Sequence, residues 1–193
     1  MRSIGVRGKV EKAALDLFAA KGVDGVSIAE IAAAAGVSQG ALYRHHPSKN
    51  ELAWALFSTA YLRTGAELHA IGAREPDFKS RIAAMVGHFC GLYDSDPALF
   101  RFMLIAQHDL LPRLAPEERT PVEAVADAIT DAMRSGEIGP VDPQLGAGAI
   151  MGIVLQTAVF HIYGRLQGPL INRASDLSRA AIAAAEALSG THK

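Results

Sequence analysis

Side chains that can bind the phosphates and base edges of a nucleic acid are concentrated in one short stretch of this 193-residue chain. Glutamine can pair bidentately with adenine, and arginine with guanine or with a phosphate. Tyrosine and lysine can bind phosphate oxygens. The residues of this kind are Ser38, Gln39, Tyr43, Arg44, His45 and Lys49, and Gly40 among them exposes its backbone. Their types and spacing predict a surface that contacts DNA.

Two short helices are predicted to hold these side chains. Ser27 and Glu30 have the spacing of a capping box, which begins the first of these two short helices. Gly36 ends it, because glycine adopts a positive φ without the steric cost of a Cβ atom. Ser38 can cap the second helix, which we expect to continue as far as Pro47. The pattern therefore predicts a helix-turn-helix with its turn at residues 36–38.

The second short helix needs one buried side and one exposed side. Leu42 is the apolar residue expected to anchor it to the core, while Gln39, Tyr43 and Arg44 face outward. Gly40 would let the helix backbone approach a DNA groove closely. This helix is the predicted recognition helix.

The charge distribution fits an anionic partner at one end of the chain. Residues 1–50 contain seven Lys or Arg and four Asp or Glu, a net charge of +3. Residues 51–193 contain twelve and sixteen, a net charge of −4. A basic head on an acidic body favours contact with a polyanion through the head, although such an asymmetry also arises by chance.

The remaining sequence predicts an all-α fold of nine helices. Apolar residues recur at helical spacing, and no strand-like alternation is present. The first helix is expected at about residues 7–21, and a capping box at residues 48–51 opens a long fourth helix to about residue 71. An apolar helix opens at Asp142 and ends near Gly168, and the last helix spans about residues 175–188.

The segment SIAEIAAAAGVSQGALYRHHPSKNEL, residues 27–52, resembles the DNA-binding segment of the tetracycline-repressor (TetR) family. The resemblance covers about residues 8–55, and the rest of the chain matches only in helix number and order. It implies a dimeric bacterial repressor with a helix-turn-helix domain at residues 1–50 and a ligand-binding and dimerisation domain at residues 51–193. The implied partners are double-stranded operator DNA, a small-molecule effector and a second copy of the chain, and Ser27 joins the DNA-binding residues.

One residue departs from the family pattern. His46 stands where the family usually has a large apolar residue that packs under the recognition helix. A half-buried histidine there could hydrogen-bond a backbone carbonyl, or it could loosen the local packing.

Aromatic, methionine and polar residues of residues 51–193 are candidates for an effector pocket, which the family resemblance favours over plain core. They are Phe57, Tyr61, Phe89, Tyr93, Phe100, Met103, His108, Met151, Gln156 and Phe160. Because apolar groups dominate this set, the predicted effector is mostly apolar, with Tyr93, His108 and Gln156 as the groups that orient it. The fourth helix carries Lys49 at its start and Phe57 and Tyr61 further along, so it is expected to connect the two sites.

The family resemblance implies that the last two helices form the dimer interface. Small residues would permit close approach and larger aliphatic ones would supply apolar area. The predicted interface residues are Gly148, Gly152, Val159, Ile162, Ala184 and Leu188.

Other kinds of site are not indicated. His45 and His46 are adjacent, point in different directions on a helix and lack a third ligand, so we predict no metal site. The glycines of residues 146–152 lack the spacing of a dinucleotide loop, and we predict no cofactor. No arrangement of nucleophile, base and acid supports catalysis, so we do not predict an enzyme.

A membrane location is also not expected. Residues 146–163 form an uncharged stretch of 18 residues, but it contains Gln156, Thr157 and His161 and suits a helix buried between other helices. The single cysteine, Cys90, fits a reducing compartment, so the predicted location is the cytoplasm. The alternative function is a helical ligand-binding protein that acts through protein–protein contacts without reading DNA.

Overall fold

A computed structural model describes residues 5–190 of the chain, and within that range the protein is entirely helical. The nine α-helices are α1 (Val6–Lys21), α2 (Ile28–Ala35), α3 (Gln39–Tyr43), α4 (Lys49–Arg74), α5 (Phe78–Ser95), α6 (Pro97–Leu110), α7 (Pro121–Ser135), α8 (Pro143–Ile162) and α9 (Ala174–Ser189). Two short 3₁₀-helices, Leu111–Arg113 and Leu170–Arg173, follow α6 and precede α9. The predicted all-α class and helix number are confirmed.

Capping side chains define most of the helix starts. The hydroxyl of Ser27 accepts a hydrogen bond from the amide of Glu30, whose carboxylate accepts from the amide of Ser27, which completes the predicted capping box. Asp96 caps α6 by accepting from the amide of Leu99, and Thr120 caps α7 by accepting from the amide of Glu123. These bonds occupy amides that have no partner within their own helix.

Two helix ends differ from the prediction. The third helix ends at Tyr43, before Pro47, because the amides of His45 and His46 both bond the carbonyl of Leu42 in a closing turn. The eighth helix ends at Ile162, well before Gly168. Gly164 and Gly168 have φ values of +70° and +80°, so the chain turns out of the helix there.

By packing, the described chain divides into two compact units. The first unit comprises the residues up to Tyr61 together with Asp96–Glu118. In it α1 packs against α2, α3 and α6, and the rings of Phe18 and Phe102 stack with centroids 5.8 Å apart. The core of this unit contains Val10, Ala14, Phe18, Ile31, Leu42, Leu52, Phe57, Phe102 and Ala106.

The second unit comprises Leu62–Ser95 and the residues from Arg119 onward. Here α5 packs against α7, α8 and α9, and α8 packs against both α7 and α9. The carboxylate of Asp94 accepts hydrogen bonds at 2.8 Å from the amides of Leu170 and Ile171, which fixes the segment before α9. Cys90 is fully buried, and burial raises the pKa of its thiol to about 11.

These units do not coincide with the predicted functional boundary at residue 50. The first unit extends to Tyr61 because Leu52 and Phe57 belong to its core, and it includes α6 because Phe102 packs on Phe18. The continuous helix α4 contributes residues to both units. The division into a DNA-binding and an effector-binding domain stays a prediction about function.

Helix α8 is long and apolar enough, by length and composition alone, to cross a membrane, and 33% of its most apolar window is buried within the protomer. The core helix of a soluble protein can have the same length and composition, so one such helix is weak evidence for a membrane span.

Candidate nucleic-acid interface

The turn between α2 and α3 is held by backbone bonds that its sequence makes possible. Gly36 has a φ of +65°, and its amide and that of Val37 bond carbonyls in the last turn of α2. The hydroxyl of Ser38 accepts from the amide of Ala41 at 3.1 Å, which starts α3. The orientation of α3 is therefore set by capping and by one left-handed residue.

A single buried side chain anchors this short helix. Leu42 is 0% exposed and lies in the core cluster of the first unit. All the other predicted contact residues of the segment are on the outside, with Tyr43 49% exposed. The exposed set is Ser27, Ser38, Gln39, Gly40, Tyr43, Arg44 and His45. Residues 38–45 thus expose a run of polar side chains that includes the guanidinium of Arg44, with Ser27 at the start of α2.

Gly40 has open space around it. A Cβ atom built at this position would meet no heavy atom within 4 Å. The glycine is therefore not required by packing inside the protein, which leaves close approach of a partner as a reason for it.

Lys49 lies at the start of α4 and is half-buried. Its ammonium group donates a hydrogen bond of 3.4 Å to the backbone carbonyl of Asp24, in the loop between α1 and α2. A bond of this length is weak, so the ammonium group can turn to a phosphate at little cost.

The neighbouring charges hold α2 against the end of α1. Glu30 forms an ion pair of 2.9 Å with Lys21, and hydrogen bonds from Lys21 and Ser27 lower the pKa of its carboxyl to about 2. The carboxylate stays ionised at any physiological pH, so Lys21 is kept paired on this side of the unit.

His46 is buried rather than half-buried, with 4% of its surface exposed. Its Nε2 atom lies 3.7 Å from the Glu11 carboxylate and makes no hydrogen bond to any residue of the range 5–190. Burial lowers the pKa of the imidazole, while Glu11 raises it and Arg7 lowers it further. The suggested bond to a backbone carbonyl is not formed by this nitrogen, and burial favours the neutral ring.

The predicted effector residues are divided between the two units. Phe57 is fully buried in the core of the first unit and stacks on Tyr61 with ring centroids 5.0 Å apart. Phe100 and Met103 are buried residues of the same unit, and Phe89 and Tyr93 are buried residues of the second unit. Met151 is half-buried in α8.

Three of the predicted effector residues lie at the surface. His108, Gln156 and Phe160 are exposed, because each lies on the outer side of its helix. The roles of His108 and Gln156 in orienting an effector stay predictions.

The predicted interface residues lie on α8 and α9. Gly148 and Gly152 are exposed, and a Cβ atom at either would meet nothing within 4 Å. Val159, Ile162, Ala184 and Leu188 are half-buried. The exposed side of α8 also carries Leu145, which is 57% exposed, and continues to Tyr163, which is 70% exposed.

Sequence reasoning missed a polar pair in the second unit. The Tyr93 hydroxyl lies 2.9 Å from Nδ1 of His161, whose Nε2 lies 2.7 Å from the carbonyl oxygen of Gly168. A carbonyl only accepts, so Nε2 carries a hydrogen and donates it to Gly168. The one sequence signal was His161 itself, a polar residue in the otherwise apolar eighth helix. The sequence did not identify Tyr93 as its partner, because the two residues are 68 positions apart in the chain.

No group of three or more His, Cys, Asp or Glu side chains within residues 5–190 is placed to hold a metal ion.

Comparison with known proteins identifies the helix-turn-helix segment. The family model described as bacterial regulatory proteins, tetR family, matches residues 12–56. The transcriptional activator FasR of Mycolicibacterium smegmatis is 28% identical over 125 residues, which cover 65% of this chain and 57% of FasR. The chain spans between a third and three fifths of the length of the first curated relatives it matches.

Solved structures agree over nearly the whole chain. A fatty acid metabolism regulator of Clostridium perfringens superposes with a TM-score of 0.78 at 19% identity, over 91% of this chain and 97% of the other. The regulator FadR of Bacillus subtilis, solved with stearoyl-CoA, superposes with a TM-score of 0.70 at 19% identity, over 95% of this chain and 98% of the other. At these identities the likeness establishes the fold. Residues 12–56 therefore match the tetR family of bacterial regulatory proteins, and the chain shares the fold of these solved regulators.

Proposed function

We propose that this protein is a DNA-binding transcriptional regulator that represses its target genes and is released by a small, mostly apolar effector. The observation that carries the proposal is the third helix. Its polar residues are exposed together, while Leu42 is fully buried and fixes the helix to the core. The match of residues 12–56 to a family of regulatory proteins supports the same conclusion.

The proposal assigns contacts with base edges and contacts with phosphates to different residues. Gln39 and Arg44 read base edges in the major groove, and Gly40 allows the backbone of α3 to come close. Tyr43, Lys49 and the polar groups at the start of α2 contact phosphates and fix the register. Most of the affinity is then electrostatic and depends on salt, while specificity depends on a few residues of α3.

The proposed active form is a symmetric dimer in the cytoplasm. One helix-turn-helix contacts few bases, and two-fold dimers read half-sites about one helical turn, or a multiple of it, apart. The exposed side of α8 supplies a suitable surface, because the helix has no formally charged residue between Pro143 and Ile162. Its exposed glycines leave room for a partner helix at Gly148 and Gly152.

The proposed effector binds in the second unit. Phe89 and Tyr93 are the buried candidates that remain there, and both belong to α5. One structural neighbour was solved with stearoyl-CoA, whose long acyl chain is apolar, and this supports an effector with substantial apolar surface. Because α4 is continuous through both units, it is the element that we propose carries the signal.

The mutual effect of effector and operator DNA on each other's affinity tests whether the effector controls DNA binding. If it favours the DNA-incompetent state, operator DNA must weaken effector binding by the same factor, typically about 5- to 150-fold. Calorimetry with and without saturating operator measures this factor. An effector affinity that operator DNA leaves unchanged contradicts the switch.

The function itself is tested by binding to DNA that flanks the gene. Fluorescence anisotropy should show that the flanking DNA binds far more tightly than random duplex of equal length, with an affinity that falls as salt rises. Equal affinity for both duplexes favours the alternative, a ligand-binding protein that acts through protein contacts. A reporter gene then decides between repression and activation, since the relative FasR is named an activator.

A further inference from the structure

A polar cleft lies in the second unit, where α4, α5 and α7 meet. Its volume is about 220 Å³. The groups that carry charge or can carry it in this cleft are His69, Arg81, Arg119, Asp127 and Asp131. None of the ten residues predicted for the effector lines it.

Arg119 supplies a guanidinium group that the protein does not use. Its side chain forms no ion pair or hydrogen bond with any residue of the range 5–190, and it lines the cleft. Its backbone position is nevertheless fixed, because the Arg119 carbonyl lies directly against Gly65 of α4, where a Cβ atom could not fit. A free charge on a fixed backbone is suited to binding a ligand.

Arg81 supplies a second guanidinium group from α5. Its side chain is 21% exposed, and its Nε atom donates to the carbonyl of Glu75 at 3.0 Å. Its Nη1 atom is 3.6 Å from Asp131, which is a loose contact. The guanidinium is thus oriented by one good hydrogen bond and keeps donors available on its outer edge.

His69 adds a buried polar group to the same cleft. Its side chain is 8% exposed, its Nδ1 atom is 3.6 Å from Asp127, and its Nε2 atom has no hydrogen-bond partner in the described chain. Burial lowers the pKa of the imidazole, and Arg119 lowers it further, while Asp127 and Glu123 raise it. A buried polar atom without a partner is uncommon in native proteins, so this nitrogen is available to a polar group that enters the cleft.

The two carboxylates at the rim do not cancel the arginines. Asp131 is held by Arg134 at 2.7 Å, so its charge is already compensated outside the cleft. The side chain of Asp127 is 69% exposed, and Arg119 is exposed as well, so solvent screens both charges alike. The least compensated charge facing the cleft is therefore that of Arg119.

We propose that this cleft binds a small ligand through an oxyanion group, a carboxylate or a phosphate, held between Arg81 and Arg119 beside His69. Two guanidinium forks offer parallel N–H donors that match the geometry of either group. The site is distinct from the surface of α3, and the inference does not depend on DNA binding or on the apolar effector.

The histidine provides the signal for a direct test. The full-length protein is titrated with acetate and, separately, with inorganic phosphate at constant ionic strength set by chloride, and the imidazole resonances are followed by NMR. His69 is assigned with a His69→Gln variant. We expect a saturable shift of its resonance and a raised imidazole pKa in the bound form, because an added negative charge favours the protonated ring.

Two arginine variants and a matched control complete the experiment. Arg119→Gln and Arg81→Gln should each weaken binding at least tenfold. Arg179→Gln, at an exposed arginine on α9 of the same unit, should change it less than twofold. Saturation by only one of the two anions supports the site and identifies its chemistry. The absence of saturation by both, or an equal loss in the Arg179 variant, overturns the proposal.

Discussion

Helices α3 and α8 both expose residues, but with opposite chemistry. The outer side of α3 carries Gln39, Tyr43 and the neighbouring Arg44, around a fully buried Leu42. The outer side of α8 carries Leu145, two glycines and Phe160, with no formal charge along the helix. The first surface is stable in water by itself, whereas the second exposes apolar area that water does not favour. Exposure alone therefore does not identify a partner, and the chemistry of the exposed groups separates a polyanion from a second protein surface.

The largest expected effect comes from placing a charge on the apolar surface. Ile162→Glu should convert the dimer to a monomer, because a carboxylate cannot be buried there without a partner. Operator affinity should fall by more than about 100-fold, since each half-site then binds alone. Light scattering measures the mass and anisotropy measures the affinity.

Arg134→Glu is the control for this change. It places the same charge on an exposed position of α7, outside the proposed interface, and should leave both mass and affinity nearly unchanged. A wild-type protein that is already monomeric at micromolar concentration would contradict the assignment of α8.

The next effect concerns specificity on the polar surface. Gln39→Ala should weaken operator binding by about 1–3 kcal/mol and random DNA much less, because a bidentate base contact discriminates between sequences. Competition anisotropy with both duplexes gives the two values. An equal loss on operator and random DNA would show that α3 does not read bases.

Lys49→Ala should produce a smaller and more uniform change. We expect weaker binding to every DNA sequence and a salt slope reduced by about one per subunit, because one phosphate contact is lost. The weak bond to the Asp24 carbonyl limits the cost within the free protein. An effect confined to the operator would instead assign Lys49 to base recognition.

The smallest expected effect is a pH dependence of the first unit. Burial lowers the pKa of His46 in the folded protein, so the neutral ring is the form that folding favours. The stability that this provides is present above the unfolded pKa, near 6.5. It is lost as pH falls through that value toward the lower folded pKa. Glu11 opposes the shift, whereas Arg7 and His45 reinforce it, so the net direction is set by burial.

A comparison of variants isolates this effect. His46→Phe should remove part of the acid-induced loss of stability between pH 7 and 5, measured by chemical denaturation, because an apolar ring does not titrate. His45→Gln, at the exposed neighbouring position, should retain it. Stability curves must be compared between variants, since the pKa of His69 in the second unit is shifted in the same direction.

The local structure of residues 27–52 could be predicted from the sequence better than the contacts of the second unit, for physical reasons. Capping residues act over three or four positions, so Ser27, Glu30 and Ser38 could be assigned from spacing alone. The burial of Leu42 could be predicted because a short helix needs at least one apolar side chain to anchor it to the core. The contacts of residues 27–52 with DNA are predictions that rest on the same local pattern.

The second unit was harder to predict because its polar contacts are distant in the chain. Tyr93 meets His161 across 68 residues, and Asp94 binds amides more than 70 residues away. The inclusion of α6 in the first unit depends on Phe102 meeting Phe18, which no helical periodicity reveals. Periodicity indicates that a side chain is apolar, but it does not indicate which helix covers it.

Because Cys90 is buried, the described surface carries no reactive thiol, and an introduced cysteine can be labelled selectively. The chain has no second cysteine, and a thiol with a pKa of about 11 and no exposure is almost entirely protonated and inaccessible at pH 8. A cysteine introduced at the exposed Ala33, beside the recognition helix, would therefore be the only site to react with a maleimide spin label. In a dimer the two labels would report the distance between the two DNA-reading heads directly, with and without effector, in the otherwise native sequence.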